Sequence, residues 1–364
     1  RSRPEVALRV PAPPRRMILG IAVTEHCNLR CPHCIRDDVT TVRNLDPALI
    51  FRTVDEARQL FPEVGVSMTG GEPTIHPRWD EIVAGLHERG VGYRFVTNGW
   101  HMRRLMPGID RHPPLYVRVS LSGADEAVHD AERGRGSFKR VLLAVALLTS
   151  RRIPTSLGLV VDRRDRHQLR QAADLAEALG CVSLNFALAQ PVPGSAARDS
   201  DLTPHEWYAA RDEIRALGQE GRRTAIGLDY GAPFDGAEKA CDTFTHKRLY
   251  VDARGRLSLC CQLSEYGENE TDVVADLNHT SFLEAWPRYT ARLEELRRAS
   301  AALAARGGEH DRFPCIRCAK ALGKMEWVRE FPDSPWHGAA GDAVMPKPVP
   351  LVSIRYLKRE LQPA

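Results

Sequence analysis

Three cysteines within eight residues constrain this chain more than any other feature. They stand in Cys27-Asn28-Leu29-Arg30-Cys31-Pro32-His33-Cys34, directly after a β-like run over 17–23. A structural zinc ion takes four ligands, so this run holds zinc only if His26 or His33 supplies the fourth. A cubane iron–sulfur cluster takes one thiolate at each iron. Three thiolates then leave one iron open, and an open coordination position is where a metal centre does chemistry. The chain has nine cysteines among 364 residues, an odd number that does not suit a disulfide framework in a chain of this length. Metal or redox chemistry is the better reading.

Composition removes other classes. Lys and Arg total 51 against 47 Asp and Glu, a net charge of +4, and no run of five basic residues occurs; nothing there supports nucleic-acid binding. The longest apolar run, 141–148, is flanked by basic pairs and falls well short of the ~20 residues that span a membrane. The first sixteen residues lack a signal-peptide core. The expectation is a cytoplasmic protein with no membrane and no nucleic-acid partner.

β-like runs at 17–23, 64–69, 92–97, 115–121, 155–161 and 182–188 alternate with helical patterns at 46–60, 77–89, 138–149, 166–179 and 204–217. Strand, helix, strand at such intervals argues for βα units and a parallel sheet. Six units are too few for an eight-unit barrel of about 250 residues, leaving a partial barrel or an open sheet. After residue 220 the pattern changes. Segments 249–252 and 256–260 flank Ala253-Arg254-Gly255 and read as a hairpin; a helix comes next over 281–298, then Gly307-Gly308 and Cys315-Ile316-Arg317-Cys318.

The cysteine run, together with the motifs downstream of it, resembles the signature of the radical S-adenosylmethionine (radical SAM) superfamily. Gly70-Gly71-Glu72-Pro73 comes after the second predicted strand and is similar to that family's GGEP motif. Glycines there let the backbone approach a ligand, and the resemblance implies that Glu72 meets the methionyl amine of SAM. It further implies SAM contacts at Asn98 in Thr97-Asn98-Gly99 and at Ser120 in Val119-Ser120-Leu121-Ser122-Gly123, although Ser122 stands where the family usually has Asp. Arg133 resembles the basic residue that meets the SAM carboxylate, and His33 occupies the aromatic position beside the adenine. Each of these also reads as an ordinary turn, packed or surface residue.

A second cysteine pattern lies in the last third. Cys241 is followed by thirteen residues, Gly255, four residues and Cys260, and later by Cys315 and Cys318. It resembles the twitch/SPASM extension of radical SAM enzymes, which implies a second [4Fe–4S] cluster saturated by Cys241, Cys260, Cys315 and Cys318; a structural zinc on the same four thiolates is the alternative. Cys181 reads as a buried free thiol. Cys261 comes directly after Cys260. On a regular strand the two point to opposite faces, so Cys261 either packs or faces the substrate as a hydrogen-atom donor.

The resemblance implies an α/β fold: a partial (β/α)6 barrel over 17–220 and a twitch-type β-hairpin plus helix over 221–330, between an N-terminal strap at 1–16 and a C-terminal tail at 331–364. It implies a [4Fe–4S] cluster on Cys27, Cys31 and Cys34, SAM cleaved reductively to a 5′-deoxyadenosyl radical, hydrogen abstraction from a substrate, and an electron donor such as flavodoxin or ferredoxin. Only sixteen residues precede the first strand, with no room there for a leader-binding domain. That favours a sugar or aminocyclitol-type secondary metabolite, epimerised or dehydrogenated in natural product biosynthesis. The alternatives are a maturase acting on a ribosomal peptide and a non-catalytic iron–sulfur electron carrier. Against the carrier stand the GGEP motif and the six βα units.

Overall fold

The six β-like runs become six strands of a larger sheet. The computed structural model describes residues 14–36, 43–229, 231, 241–264, 266, 267, 269–341 and 345. The expected strap at 1–16 and tail at 331–364 lie largely outside them. Along the chain the strands are β1 (Arg16–Thr24), β2 (Glu63–Gly70), β3 (Tyr93–Thr97), β4 (Tyr116–Leu121), β5 (Thr155–Val161), β6 (Ser183–Leu188), β7 (Ala225–Leu228), β8 (Arg248–Val251), β9 (Arg256–Ser258) and β10 (Val273–Asp276).

Their order is β10-β9-β8-β1-β2-β3-β4-β5-β6-β7. From β1 to β7 every neighbouring pair is parallel, and β8 lies parallel on the other side of β1. The β9 pairings with β8 and β10 are antiparallel. The sheet therefore does not close: a mixed α/β fold with an open, parallel, barrel-like core that the C-terminal segment extends at one edge. Parallel strands covered on both faces read as nearly continuous apolar runs. In β1 the alternate residues Leu19, Ile21 and Val23 are at most 1% exposed.

The other face carries smaller or polar residues at matching register. Ser67 pairs with Gly20 and Arg94, Val96 with Arg118, and Gly158 with Ser120 and Asn185. A Cβ on Gly158 would stand 2.9 Å from Cδ of Arg118, so glycine there makes room for an arginine inside the curve of the sheet.

Helices cover the outer face. The one at Pro47–Leu60 starts where Asp46 Oδ1 accepts from Ala48 N–H, with proline at its first position. The one at Pro204–Gly218 opens with a Thr203/Glu206 capping box. Helices at Met102–Arg111 and Glu126–Arg133 escape a reading by periodicity, the first because it encloses Pro107 and the second because it is short. The helix expected over 281–298 runs Phe282–Arg306 and stops at Gly307, φ +73°. Its Trp286 meets Phe61 edge-on at 5.1 Å, which seats the C-terminal segment on the barrel.

Candidate functional site

The cysteine run leaves the end of β1 and is pinned by the loop after β2. Gly71 N–H donates to the Thr24 carbonyl and Glu72 N–H to the His26 carbonyl, each at 2.8 Å. A Cβ on Gly71 would lie 2.1 Å from the His26 oxygen, and Gly70 has φ +124°. These glycines are thus required first by the close approach of two chain segments. Gly194 plays a similar part from the opposite side, since its Cβ would meet the Pro32 oxygen at 2.6 Å.

Glu72 is 1% exposed. Its Oε1 accepts from Thr74 N–H at 3.2 Å, Thr74 Oγ1 at 2.5 Å and Thr97 Oγ1 at 2.8 Å, while Oε2 accepts from Asn98 N–H at 2.7 Å. Burial pushes its carboxyl up, against the pull of these donors. Glu72 therefore braces its own turn against β3 and keeps spare acceptor capacity mainly at Oε2. Asn98 extends the brace, donating from Nδ2 to Asn28 Oδ1 in the cysteine run at 2.9 Å. Pro73 is buried at the start of the turn that Glu72 caps.

Cys27, Cys31, Cys34, His33, Gly70, Gly71, Glu72, Asn98, Ser120 and Arg133 all line one cavity of about 260 Å³. Burial pushes the Cys27 thiol up to about 11 and raises Cys31 as well, so metal binding must expel protons. Leu29 N–H points at Cys27 Sγ, 3.4 Å away. Arg133 Nε donates to Ser122 Oγ at 2.7 Å; the serine that departs from the family pattern anchors this guanidinium. Burial, then Arg133, lowers His33 to about 3. Its Nδ1 lies 3.2 Å from Oε2 of Glu132, which is also ion-paired to Arg164 and Arg198.

Cys241, Cys260, Cys315 and Cys318 line a second cavity with Gly231. A Cβ on Gly231, φ +101°, would stand 2.9 Å from Cys315 Sγ, and Gln262 N–H approaches Cys260 Sγ at 3.4 Å. Burial pushes Cys318 up to about 12 and raises Cys315 and Cys241. Among the described residues no three His, Cys, Asp or Glu side chains are drawn together tightly enough to grip one ion; cubane thiolates each take a separate iron. Cys181 is 4% exposed in the core.

The opposite-face argument for Cys261 does not hold. The strand expected to reach Cys260 ends at Ser258, and the chain then enters a turn in which Leu263 and Ser264 N–H both donate to the Cys260 carbonyl. The two thiols are near enough that Cys261 raises the Cys260 thiol and Cys260 lowers that of Cys261. Even so, Cys261 lines a third cavity and not the four-thiol one.

That third cavity, about 190 Å³, occupies the lumen of the curved sheet. It shares Val96, Ala187, Leu188, Gln190 and Gln262 with the first cavity, and Cys241, Cys260, Cys315 and Gly231 with the second. Its polar wall includes Arg94, Arg118, Arg248, Tyr116, Gln190 and Asp229. The sequence reading missed all of these. A usable signal existed for two of them, because Arg94 and Arg118 interrupt strands that are otherwise apolar.

The radical SAM superfamily pattern matches residues 21–176, from within β1 through the helix after β5. Residues 21–176 form a radical SAM domain. That family implies SAM and a [4Fe–4S] cluster. The chain is 26% identical over 235 residues to the mycofactocin maturase MftC of Mycobacterium tuberculosis, covering 57% of this chain and 58% of that one. It is 28% identical over 241 residues to the PqqA peptide cyclase of Ruegeria pomeroyi, covering 64% and 63%. The chain thus spans about six-tenths of the length of these curated relatives. The crystal structure of Streptococcus suis SuiB bound to precursor peptide SuiA shares the fold, with a TM-score of 0.66 at 13% identity over 88% of this chain and 74% of that one.

These relatives overturn the sugar or aminocyclitol substrate. Radical SAM proteins similar to this chain carry the names maturase and peptide cyclase. The sugar reading rested on the few residues before β1, and where a chain begins says nothing about the shape or chemistry of its lumen. The epimerase or dehydrogenase assignment was attached to that substrate and falls with it. Among the described residues no helix is long and apolar enough to cross a membrane.

Proposed function

We propose that this radical SAM enzyme is a maturase that modifies a peptide held in the lumen of its barrel. The observation that carries the reading is the position of the lumen, which shares walls with the cavity of Cys27, Cys31 and Cys34 on one side and with the four-thiol cavity on the other. The names of the relatives, a maturase and a peptide cyclase, supply the substrate class.

In this reading Cys27, Cys31 and Cys34 hold the cluster that carries SAM, and Cys241, Cys260, Cys315 and Cys318 hold a second one. The extension over 221–330 then serves as a lid on the barrel of 17–220, and an external donor of the flavodoxin or ferredoxin kind supplies the electron. When bound, SAM and its cluster supply a radical able to remove an unactivated hydrogen. The chain's own residues position and shield. Glu72 and Asn98 hold the loop against the cysteine run, Arg133 meets a carboxylate, Ser120 lines the SAM pocket, and neutral His33 packs beside the adenine.

The test is incubation of the anaerobically reconstituted protein with SAM, a reductant and short peptides encoded beside its gene, read by mass spectrometry. A peptide mass change that requires SAM is expected. Peptides returned unchanged while SAM is cleaved, with mass changes only in small-molecule fractions, would overturn the reading.

Glu72 offers a separate check. Glu72→Ala strands four donors and loses charge-assisted bonds worth about 1.5–3 kcal/mol each. It is expected to weaken SAM binding at least ten-fold by equilibrium dialysis while iron content stays at the wild-type value. Glu72→Gln keeps most of the acceptor geometry and should fall between the two. Unaltered SAM affinity in Glu72→Ala would remove this loop from the SAM site.

A further inference from the structure

Among the described residues, the lumen carries cations that no carboxylate answers. Arg94, Arg118 and Arg248 border it, on β3, β4 and β8. Arg118 is committed: it pairs with Asp229 at 2.7 Å, and its Nε donates to the Tyr116 hydroxyl at 3.0 Å. Arg94 and Arg248 have no carboxylate within ion-pair distance among the described residues, although Asp242 also borders the cavity. Nε of Arg248 is buried without a hydrogen-bond partner. Burial first, and then the guanidiniums of Arg248, Arg16 and Arg118, hold Arg94 below the usual arginine range. A chain that places like charges together in a half-buried space, with one donor stranded, gains by accepting an anion there.

A second orphan stands at the mouth of the lumen. Gln190 is 5% exposed, borders both the lumen and the three-cysteine cavity, and has neither Oε1 nor Nε2 hydrogen-bonded among the described residues. A buried carboxamide with donor and acceptor both free matches a group that offers both in return, as a peptide bond does.

We propose that the lumen of this enzyme recognises a carboxylate of its substrate, held between Arg94 and Arg248, while Gln190 pairs with the adjoining peptide amide. This rests on the peptide reading above and narrows it to peptides with an acidic residue, or the peptide's own C-terminal carboxylate, near the modified position. Gln262, which also lines all three cavities, lies where the lumen meets both thiol sets.

The test uses the reconstituted enzyme with SAM and four fluorescent nine-residue peptides. Three are blocked at both ends and differ only in a central Glu, Gln or Lys; the fourth carries Gln and a free C-terminal carboxylate. Binding of N-acetyl-L-glutamate is measured separately by isothermal titration calorimetry. By fluorescence anisotropy the Glu peptide is expected to bind at least ten-fold tighter than the Gln and Lys peptides, and the advantage to vanish in Arg94→Gln/Arg248→Gln. Each single variant is measured too, so that a double variant that fails to fold leaves the comparison standing. If the advantage belongs instead to the free C-terminus, and again requires the two arginines, the carboxylate is the terminal one. Equal binding of all four peptides, or a carboxylate advantage that survives in the variants, overturns the proposal and leaves the peptide reading intact. Arginine-dependent binding of N-acetyl-L-glutamate with no peptide binding keeps the carboxylate site and removes the peptide reading. Absence of binding by every probe removes both.

Discussion

Replacing Cys27, Cys31 and Cys34 together by alanine is expected to remove about four irons per chain and to bring 5′-deoxyadenosine formation down to background. The three thiols border one cavity with Glu72, Asn98 and Arg133, so their loss should remove the proposed SAM-carrying cluster without touching a strand of the sheet. Wild-type protein reconstituted under anaerobic conditions should hold about eight irons, two cubanes of four. The alanine variant should keep the four irons proposed for the four-thiol cavity. Iron and zinc measured by elemental analysis, with the folded state checked by circular dichroism, decide the matter. A wild-type content near four irons would remove the second cluster, and zinc in their place would make the four-thiol site structural. Iron and SAM cleavage retained in the triple variant would remove the first.

The second large effect is on stability. Lys324 has a fully buried side chain paired with Asp272, itself 2% exposed, at 2.7 Å. The ammonium also donates to the carbonyls of Tyr266 at 2.9 Å and Asn269 at 2.6 Å. Removing one partner of a buried pair leaves the other charge uncompensated, which typically costs about 3–5 kcal/mol. Lys324→Ala should destabilise the protein by that amount in chemical denaturation. Lys324→Met combined with Asp272→Leu should recover much of the loss, because no charge is then stranded. The pair ties the chain just after Cys318 to the segment just after Cys260, so Lys324→Ala should also lower iron retention by the four-thiol cavity. A loss below about 1 kcal/mol would mean that water reaches the pair.

Much of this was legible in the sequence because it is local. Residues 17–188 alternate apolar runs with helical spacing, and a strand buried on both faces cannot hide that signature. The cysteine run and Gly70-Gly71-Glu72-Pro73 are each short enough to be read without the fold. What failed to show was of two kinds. Short elements such as Glu126–Arg133 lack the length for periodicity to register. At Cys260 the ladder simply stops, since β9 ends at Ser258, and nothing in Ser-Leu-Cys-Cys-Gln marks where pairing ends and a turn begins.

By itself, then, the sequence determined the βα order, the parallel core and the set of three cysteines, while the set of four came from the family resemblance. The first three depend on spacing along one stretch of chain. Only the tertiary structure decided what the lumen contains. Arg94, Arg118, Asp229 and Arg248 are up to 154 positions apart in the chain, and they meet because the parallel strands curve and turn alternate residues inward. The charge of that space is a sum over strands that no single segment carries. The same holds for Glu72, which accepts from Thr74, Thr97 and Asn98: its place as a brace comes from β3 lying beside β2.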